Sequence, residues 1–166
     1  MKLKINDQIP NTEIFQLVDG EPQKSKLREI IGNGKIVLFG VLPSSPETGY
    51  GYIKVQRMPK LNDNIAQKII NFTEKPTIDL ANNFLKNGKY LWNSGIFMFK
   101  AKTVLQELKK FAPEIVKSCK DSILESKLDL DFQRIDKEIF RNCPDISIDF
   151  SIMEKTDKGT VLPLDA

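Results

Sequence analysis

Tyr90-Leu91-Trp92-Asn93-Ser94-Gly95-Ile96-Phe97-Met98-Phe99 holds the only tryptophan of the chain and decides how the fold is read. Ile96 to Phe99 is a short apolar run, the pattern of a strand buried on both faces. Asn93, Ser94 and Gly95 stand just before it. The Asn93 amide donates and accepts at once, which matches the paired character of sugar hydroxyls. Ser94 adds a hydroxyl, and Gly95 leaves the backbone open to a ligand. The same triplet is also ordinary turn chemistry ahead of a core strand, and on these residues alone that plainer reading is the commoner one.

Working outward, the chain of 166 residues is long enough for one domain with a real core. Hydrophobic residues make up 40% and charged residues 28%, a globular balance. A net charge of +3, evenly spread, points away from nucleic acid and from an anionic membrane surface. Met1 to Pro10 has no apolar core of a secretory leader, and Ile36 to Pro43 is too short to span a bilayer. Cys119 and Cys143 are widely spaced and are expected as free thiols. These features together predict a cytoplasmic protein. The chain contains no histidine, which removes Ser-His and Cys-His dyads and most zinc sites.

In order along the chain, Glu13–Val18 reads as a strand and Asp19–Pro22 as a turn. Ser25 is a candidate N-cap for a helix through Leu27, Ile30 and Ile31, stopped at Gly32-Asn33-Gly34. Lys35–Gly40 reads as a buried strand. Gly32-x-Gly34-Lys35 has the composition of a phosphate loop in the wrong order, since it follows a helix and opens a strand. Lys54–Lys60 continues as a polar strand, residues 59–64 as a loop, and Ala66–Thr73 as one alternating strand that delivers Glu74-Lys75-Pro76. A carboxylate and an ammonium at a strand end suit hydroxyls and phosphate, although a solvated surface pair is the commoner fate of Glu-Lys. Tyr50 and Tyr52, interleaved with Gly49 and Gly51, offer rings and hydroxyls where the backbone is approachable.

Helices are expected from Ile78 to Asn87, around Val104–Phe111, and from Pro113 through Leu124. Asp129-Leu130-Asp131 has metal-binding spacing, but capping is its plainer role, with Asp131 starting a helix to Phe140. Ser147 is expected to cap a short helix, and Lys158–Leu164 to form a strand.

Two resemblances rest on these residues. Lys4–Pro10, Asp19-Gly20 and Gly34–Gly40 resemble the start of a peroxiredoxin of thioredoxin-like fold. The family's peroxidatic cysteine has no counterpart after Phe39-Gly40, and a thiol peroxidase requires that thiolate. Four later motifs occur in order: Pro46–Ile53, Phe72–Pro76, Tyr90–Phe99, and Cys143–Asp149 continuing into Met153–Thr156. Together they are similar to the catalytic domain of bacterial mannose-1-phosphate guanylyltransferases, over residues of about 42–166.

The second resemblance implies an α/β fold, a Rossmann-like nucleotidyltransferase sheet with flanking helices. It implies transfer from GTP to mannose 1-phosphate with magnesium, giving GDP-mannose and pyrophosphate. Carried over by position, Lys75 is the catalytic residue, pairing with the sugar phosphate. Gly51, Tyr52, Glu74, Asn93, Ser94, Gly95, Asp149 and Lys155 are the substrate-binding set that the resemblance implies, the last two by motif match alone. No metal ligand carries over. The family's Gly-x-Gly-Thr-Arg-Leu-x-Pro nucleotide loop is absent, and its Gly-Trp-x-Asp-x-Gly stretch would follow Ala166. The expectation is therefore a sheet incomplete at its N-terminal nucleotide-binding part and a catalytically incomplete chain.

Domain units of 1–40 and 41–166 follow, with residues 35–40 filling an edge of a parallel sheet. A homo-oligomer is an expected way to cover a cut sheet. The competing readings are a thiol-peroxidase relative and a non-catalytic fused remnant.

Overall fold

The computed structural model describes residues 13–18, 21–59 and 65–164. Ten strands and five α-helices alternate among them: β1 Glu13–Val18, β2 Glu21–Lys26, α1 Leu27–Gly32, β3 Ile36–Val41, β4 Tyr52–Lys54, β5 Ile65–Lys68, β6 Asn71–Thr73, α2 Ile78–Asn87, β7 Tyr90–Met98, α3 Ala101–Phe111, α4 Pro113–Leu124, β8 Lys127–Asp129, β9 Phe132–Arg134, α5 Lys137–Arg141 and β10 Gly159–Pro163. A π-helical turn covers Asp149–Met153. Eight strands form one sheet in the order β2-β1-β5-β10-β3-β7-β4-β6. The fold is mixed α/β, as expected.

The sheet is not parallel. Only β10/β3 and β1/β5 pair parallel among the described residues, and the neighbours of β7 and β4 are antiparallel. The expected edge position of residues 35–40 is also corrected: β3 lies between β10 and β7 in the sheet interior. Its Ile36, Val37 and Leu38 are fully buried, which explains the continuous apolar run. β3 ends at Val41, so it runs across residue 40. The resemblance segments at 4–10 and 19–20 lie outside the described residues, as do positions 60–64 of the expected loop.

Two apolar layers flank the sheet. Ile36, Leu38, Ile53, Val55, Phe72, Leu91, Ile152, Met153 and Val161 form the main core. On the opposite face Tyr52, Ala81, Phe84 and Tyr90 pack together, with Phe84 stacked on Tyr90 at 4.0 Å between ring centroids. That second cluster exists because α2 lays Ala81 and Phe84, three residues apart, on one side. Thr77 caps α2, its hydroxyl accepting from the Leu80 amide at 3.4 Å.

The expected single strand at 66–73 is two short strands, β5 and β6, with a break at Ile69-Ile70. The Ile70 amide turns to the Lys54 carbonyl at 2.9 Å, which hands the chain from one sheet position to another. β2 occupies the stretch where Ser25 was expected to cap a helix. Asp131 starts no helix. Asp129 closes the β8/β9 hairpin, accepting from Arg134 Nε at 2.7 Å, and the α5 cap is Asp136, accepting from the Ile139 amide at 2.9 Å.

The opening stretch is one nine-residue strand, β7, with its burial reversed from expectation. Tyr90 and Leu91 are buried, whereas Ile96 is 53% exposed. The cause is a bulge. Leu38 pairs with Phe97 and Gly40 with Asn93, so two steps on β3 oppose four on β7. The surplus falls at Ser94-Gly95-Ile96, and Gly95 takes φ of 75°. Only glycine enters that region without penalty, and such bulges bend a strand and re-aim its side chains.

Candidate functional site

Strand alternation sorts the expected site residues. Successive side chains point to opposite faces. Gly51 and Asn93 share the face of Leu91 and Phe72, while Tyr52 and Ser94 take the other. Tyr52 is fully buried in the cluster with Phe84 and Tyr90, and its hydroxyl has no protein partner. Ser94 is turned to its own backbone, its hydroxyl accepting from the Ile96 amide at 3.3 Å. Their distance from the shared face is set by the pleat, which motif reading does not register.

On the shared face the groups converge. The Asn93 side chain is fixed at both ends. Its Nδ2 donates to Asp149 Oδ1 at 3.1 Å, and its Oδ1 accepts from the Gly95 amide at 3.2 Å. The Gly95 requirement is conformational, because a Cβ there would meet nothing within 4 Å. Gly51 is the reverse case. A Cβ on it would lie 2.6 Å from Glu74 Oε2, 2.9 Å from Phe72 Cζ and 3.3 Å from Asn93 Cβ. The missing side chain is therefore what lets Glu74 and Asn93 stand beside one strand. The Gly51 carbonyl also accepts from the Asn93 amide at 2.7 Å.

Glu74 and Lys75 follow β6. The Glu74 amide donates to Glu154 Oε1 at 3.0 Å, and the Lys75 amide to the Tyr50 carbonyl at 3.2 Å. Those two bonds hold Lys75 at φ of 45°, left-handed geometry that costs a non-glycine residue about 1 kcal/mol or more. Lys75 Nζ lies 3.3 Å from Glu74 Oε1. The lysine side chain is 62% exposed and the glutamate 10%, so the carboxylate is inside and the ammonium at the mouth.

Burial pushes the Glu74 carboxyl up, the Asp149 charge adds to the rise, and Lys75 opposes it. Asp149 is also raised, again first by burial, with Lys75, Ser147 and Asn93 opposing. Two carboxylates and a lysine thus interact with one another in partly desolvated surroundings, referred to below as the recess. The arrangement offers acceptors for hydroxyls and one cation for an anionic group. Among the described residues no group of three or more Cys, Asp or Glu side chains is placed to hold a metal ion.

Lys155 is exposed and lines an adjoining cleft of about 270 Å³ with Lys68, Asn71 and Glu154. Glu154 belongs to both places, and motif reading passed it over in favour of Lys155. The signal available was its place in Met153-Glu154-Lys155-Thr156, directly after the π-helical turn. Cys119 and Cys143 are both free, as expected, and both are half-buried. No helix among the described residues is long and apolar enough to cross a membrane.

The chain is 49% identical over 138 residues to the mannose-1-phosphate guanylyltransferase RfbM of Salmonella typhimurium, covering 83% of this chain and 28% of that protein. It is 42% identical over 134 residues to the mannose-1-phosphate guanylyltransferase of Escherichia coli K12, covering 80% and 28%. The chain therefore spans little more than a quarter of the length of these relatives.

A crystal structure of mannose-6-phosphate isomerase from Helicobacter pylori superimposes with a TM-score of 0.72 at 32% identity, covering 83% of this chain and 52% of that one. One of mannose-1-phosphate geranyltransferase from Thermus thermophilus gives 0.65 at 27%, covering 81% and 36%. The nucleotidyl transferase family model matches residues 20–145, and this chain belongs to that family.

Proposed function

We propose that the chain carries the sugar-phosphate-binding portion of a mannose-1-phosphate guanylyltransferase, which joins GTP and mannose 1-phosphate into GDP-mannose and pyrophosphate. The observation that carries this reading is the convergence of Glu74, Asn93 and Asp149 around the side-chain-free Gly51. The similarity to guanylyltransferases from two bacteria supports the choice of sugar.

In this reading Glu74 and Asp149 accept hydrogen bonds from sugar hydroxyls. Asn93 supplies its second N–H and remaining lone pair. Lys75, at the mouth, neutralises the sugar phosphate. In the transfer a phosphate oxygen of the sugar bonds to the α-phosphorus of the nucleotide, and the bond to pyrophosphate breaks. Such a reaction asks the protein for positioning and charge stabilisation rather than a side-chain nucleophile. The lack of histidine is no obstacle. Magnesium, implied by the resemblance, receives no ligand set from this recess.

Tyr52 and Ser94 enter this proposal only as support for the strand, and Lys155 as a neighbour of the recess. For residues 1–40 we propose peroxiredoxin-like ancestry on the motifs quoted above alone; within them β3 serves as an interior strand of the sheet, and residues 20–40 also fall within the nucleotidyl transferase match. A cytoplasmic location and self-association belong to the same proposal.

The test is calorimetric titration with mannose 1-phosphate, with and without GTP and magnesium. Saturable binding of the sugar phosphate supports the reading. Absence of binding under every condition refutes it.

A further inference from the structure

Glu107 is an acidic residue buried in the middle of α3, only 3% exposed. Its Oε2 accepts from Thr156 Oγ1 at 2.6 Å, and its Oε1 lies 2.8 Å from Lys158 Nζ. Thr156 Oγ1 accepts in turn from the Lys158 amide at 3.1 Å. A buried carboxylate is costly unless it is paired and hydrogen-bonded, and both oxygens here are used. Burial alone would raise the Glu107 carboxyl. The hydrogen bonds from Lys158 and Thr156 outweigh it and hold the group below its ordinary value, so it is ionised at neutral pH.

The segment that Glu107 grips is a single folded turn. The amides of Lys155 and Thr156 both reach the Ile152 carbonyl, at 2.9 and 2.8 Å, and the Glu154 amide reaches the Asp149 carbonyl at 3.0 Å. Two residues before Thr156, Glu154 accepts from the Glu74 amide at 3.0 Å. Glu154 is itself exposed, so its own surroundings do little to fix it. The turn is held on one side by the core residues Ile152 and Met153, and on the other by half-buried Thr156 and Lys158, which Glu107 grips.

We propose that Glu107 is a positioning residue for Glu74, acting through the 154–158 turn although it touches no part of the recess. The inference rests on the sugar-phosphate reading of Glu74 for its functional meaning, but the mechanical link does not. A purely structural role, stapling α3 to the start of β10, would alter global stability and leave the Glu74 amide no more affected than any other.

The test is amide hydrogen exchange on the full chain, comparing wild type with Glu107→Gln. The expected result is exchange at Glu74 faster by about tenfold, with Ile53 and Leu91 unchanged, because one local bond has loosened while the sheet has not. Uniform acceleration, or an unchanged Glu74, overturns the proposal. Thr156→Val replaces the hydroxyl by a methyl group, which removes the bond to Glu107 and the acceptor of the Lys158 amide, and gives the same readout should Glu107→Gln not fold. Titration with mannose 1-phosphate is the second arm, with affinity expected to fall about three- to tenfold in both variants. Selective loosening of Glu74 in a chain that never binds the sugar phosphate leaves the positioning link standing and removes the site reading.

Discussion

Asn93 Nδ2 donates to Asp149 Oδ1 at 3.1 Å, across 56 positions of sequence, and so ties the bulged strand β7 to the π-helical turn. The bond is partly buried, and its loss leaves the Asp149 carboxylate without one of its side-chain donors. Asn93→Ala is expected to cost about 1–3 kcal/mol of stability. It should also weaken mannose 1-phosphate binding about tenfold. Urea unfolding and calorimetry read the two effects separately. A loss of stability with unchanged affinity would make the bond structural only.

Gly51 answers a space requirement. The Cβ of Gly51→Ala would collide with Glu74 Oε2 at 2.6 Å and Phe72 Cζ at 2.9 Å. The phenyl ring is part of the main core and cannot swing away cheaply. A destabilisation of about 1–3 kcal/mol is expected, with affinity for mannose 1-phosphate down at least about tenfold as Glu74 is displaced. Wild-type affinity in a folded Gly51→Ala would show that Glu74 is not a sugar ligand.

The pH dependence has a definite sign. Glu74 titrates above its ordinary value of 4.5, first through burial and then through Asp149. It accepts more strongly from hydroxyls when ionised, so on acidification binding should begin to weaken above pH 4.5. Carbon-detected NMR of the carboxyl group gives the midpoint, and a midpoint at or below 4.5 contradicts the account. For stability, raised carboxyls such as Glu74 and Asp149 favour the folded state at low pH, and that contribution is lost as pH rises through their folded values. Glu107, held low, works in the opposite direction: its contribution is present above 4.5 and is lost as pH falls through its folded value.

The two ends of the opening stretch make a stability prediction. Leu91 is 1% exposed and Ile96 is 53% exposed. Leu91→Ala should cost about 2–5 kcal/mol, as large-to-small changes in a packed core do. Ile96→Ala should cost within about 1 kcal/mol. Comparable costs in urea unfolding would mean that the bulge is absent and the run from Ile96 is buried after all.

That reversal shows where sequence reading reached its limit. The apolar run Ile96–Phe99 has the composition of a core strand, but burial of β7 is decided by its neighbours. β4 covers the Tyr90 end through pairings at Tyr90, Leu91 and Trp92. Nothing equivalent covers Ile96 among the described pairings. Helices α2, α3 and α4 were legible because each carries its own stop signals and apolar spacing. The β8/β9 hairpin was not, because Asp129-Leu130-Asp131 fits a cap and a turn equally well. Glu74, Lys75, Asn93 and Gly51 stood out by residue chemistry, and the structure brings Glu74 and Asn93 together beside Gly51. Tyr52 was not, since its place depends on the pleat. Glu154 and Glu107 act through hydrogen bonds 80 and 49 positions away in sequence, a distance at which local pattern carries no information.

The most direct test of the central claim is an amide NMR titration of the chain with mannose 1-phosphate. The account predicts saturable shifts concentrated at Gly51, Glu74, Lys75, Asn93 and Gly95, with the Tyr52 and Phe84 cluster unmoved. Saturable shifts centred elsewhere, or none at millimolar sugar phosphate, would contradict it.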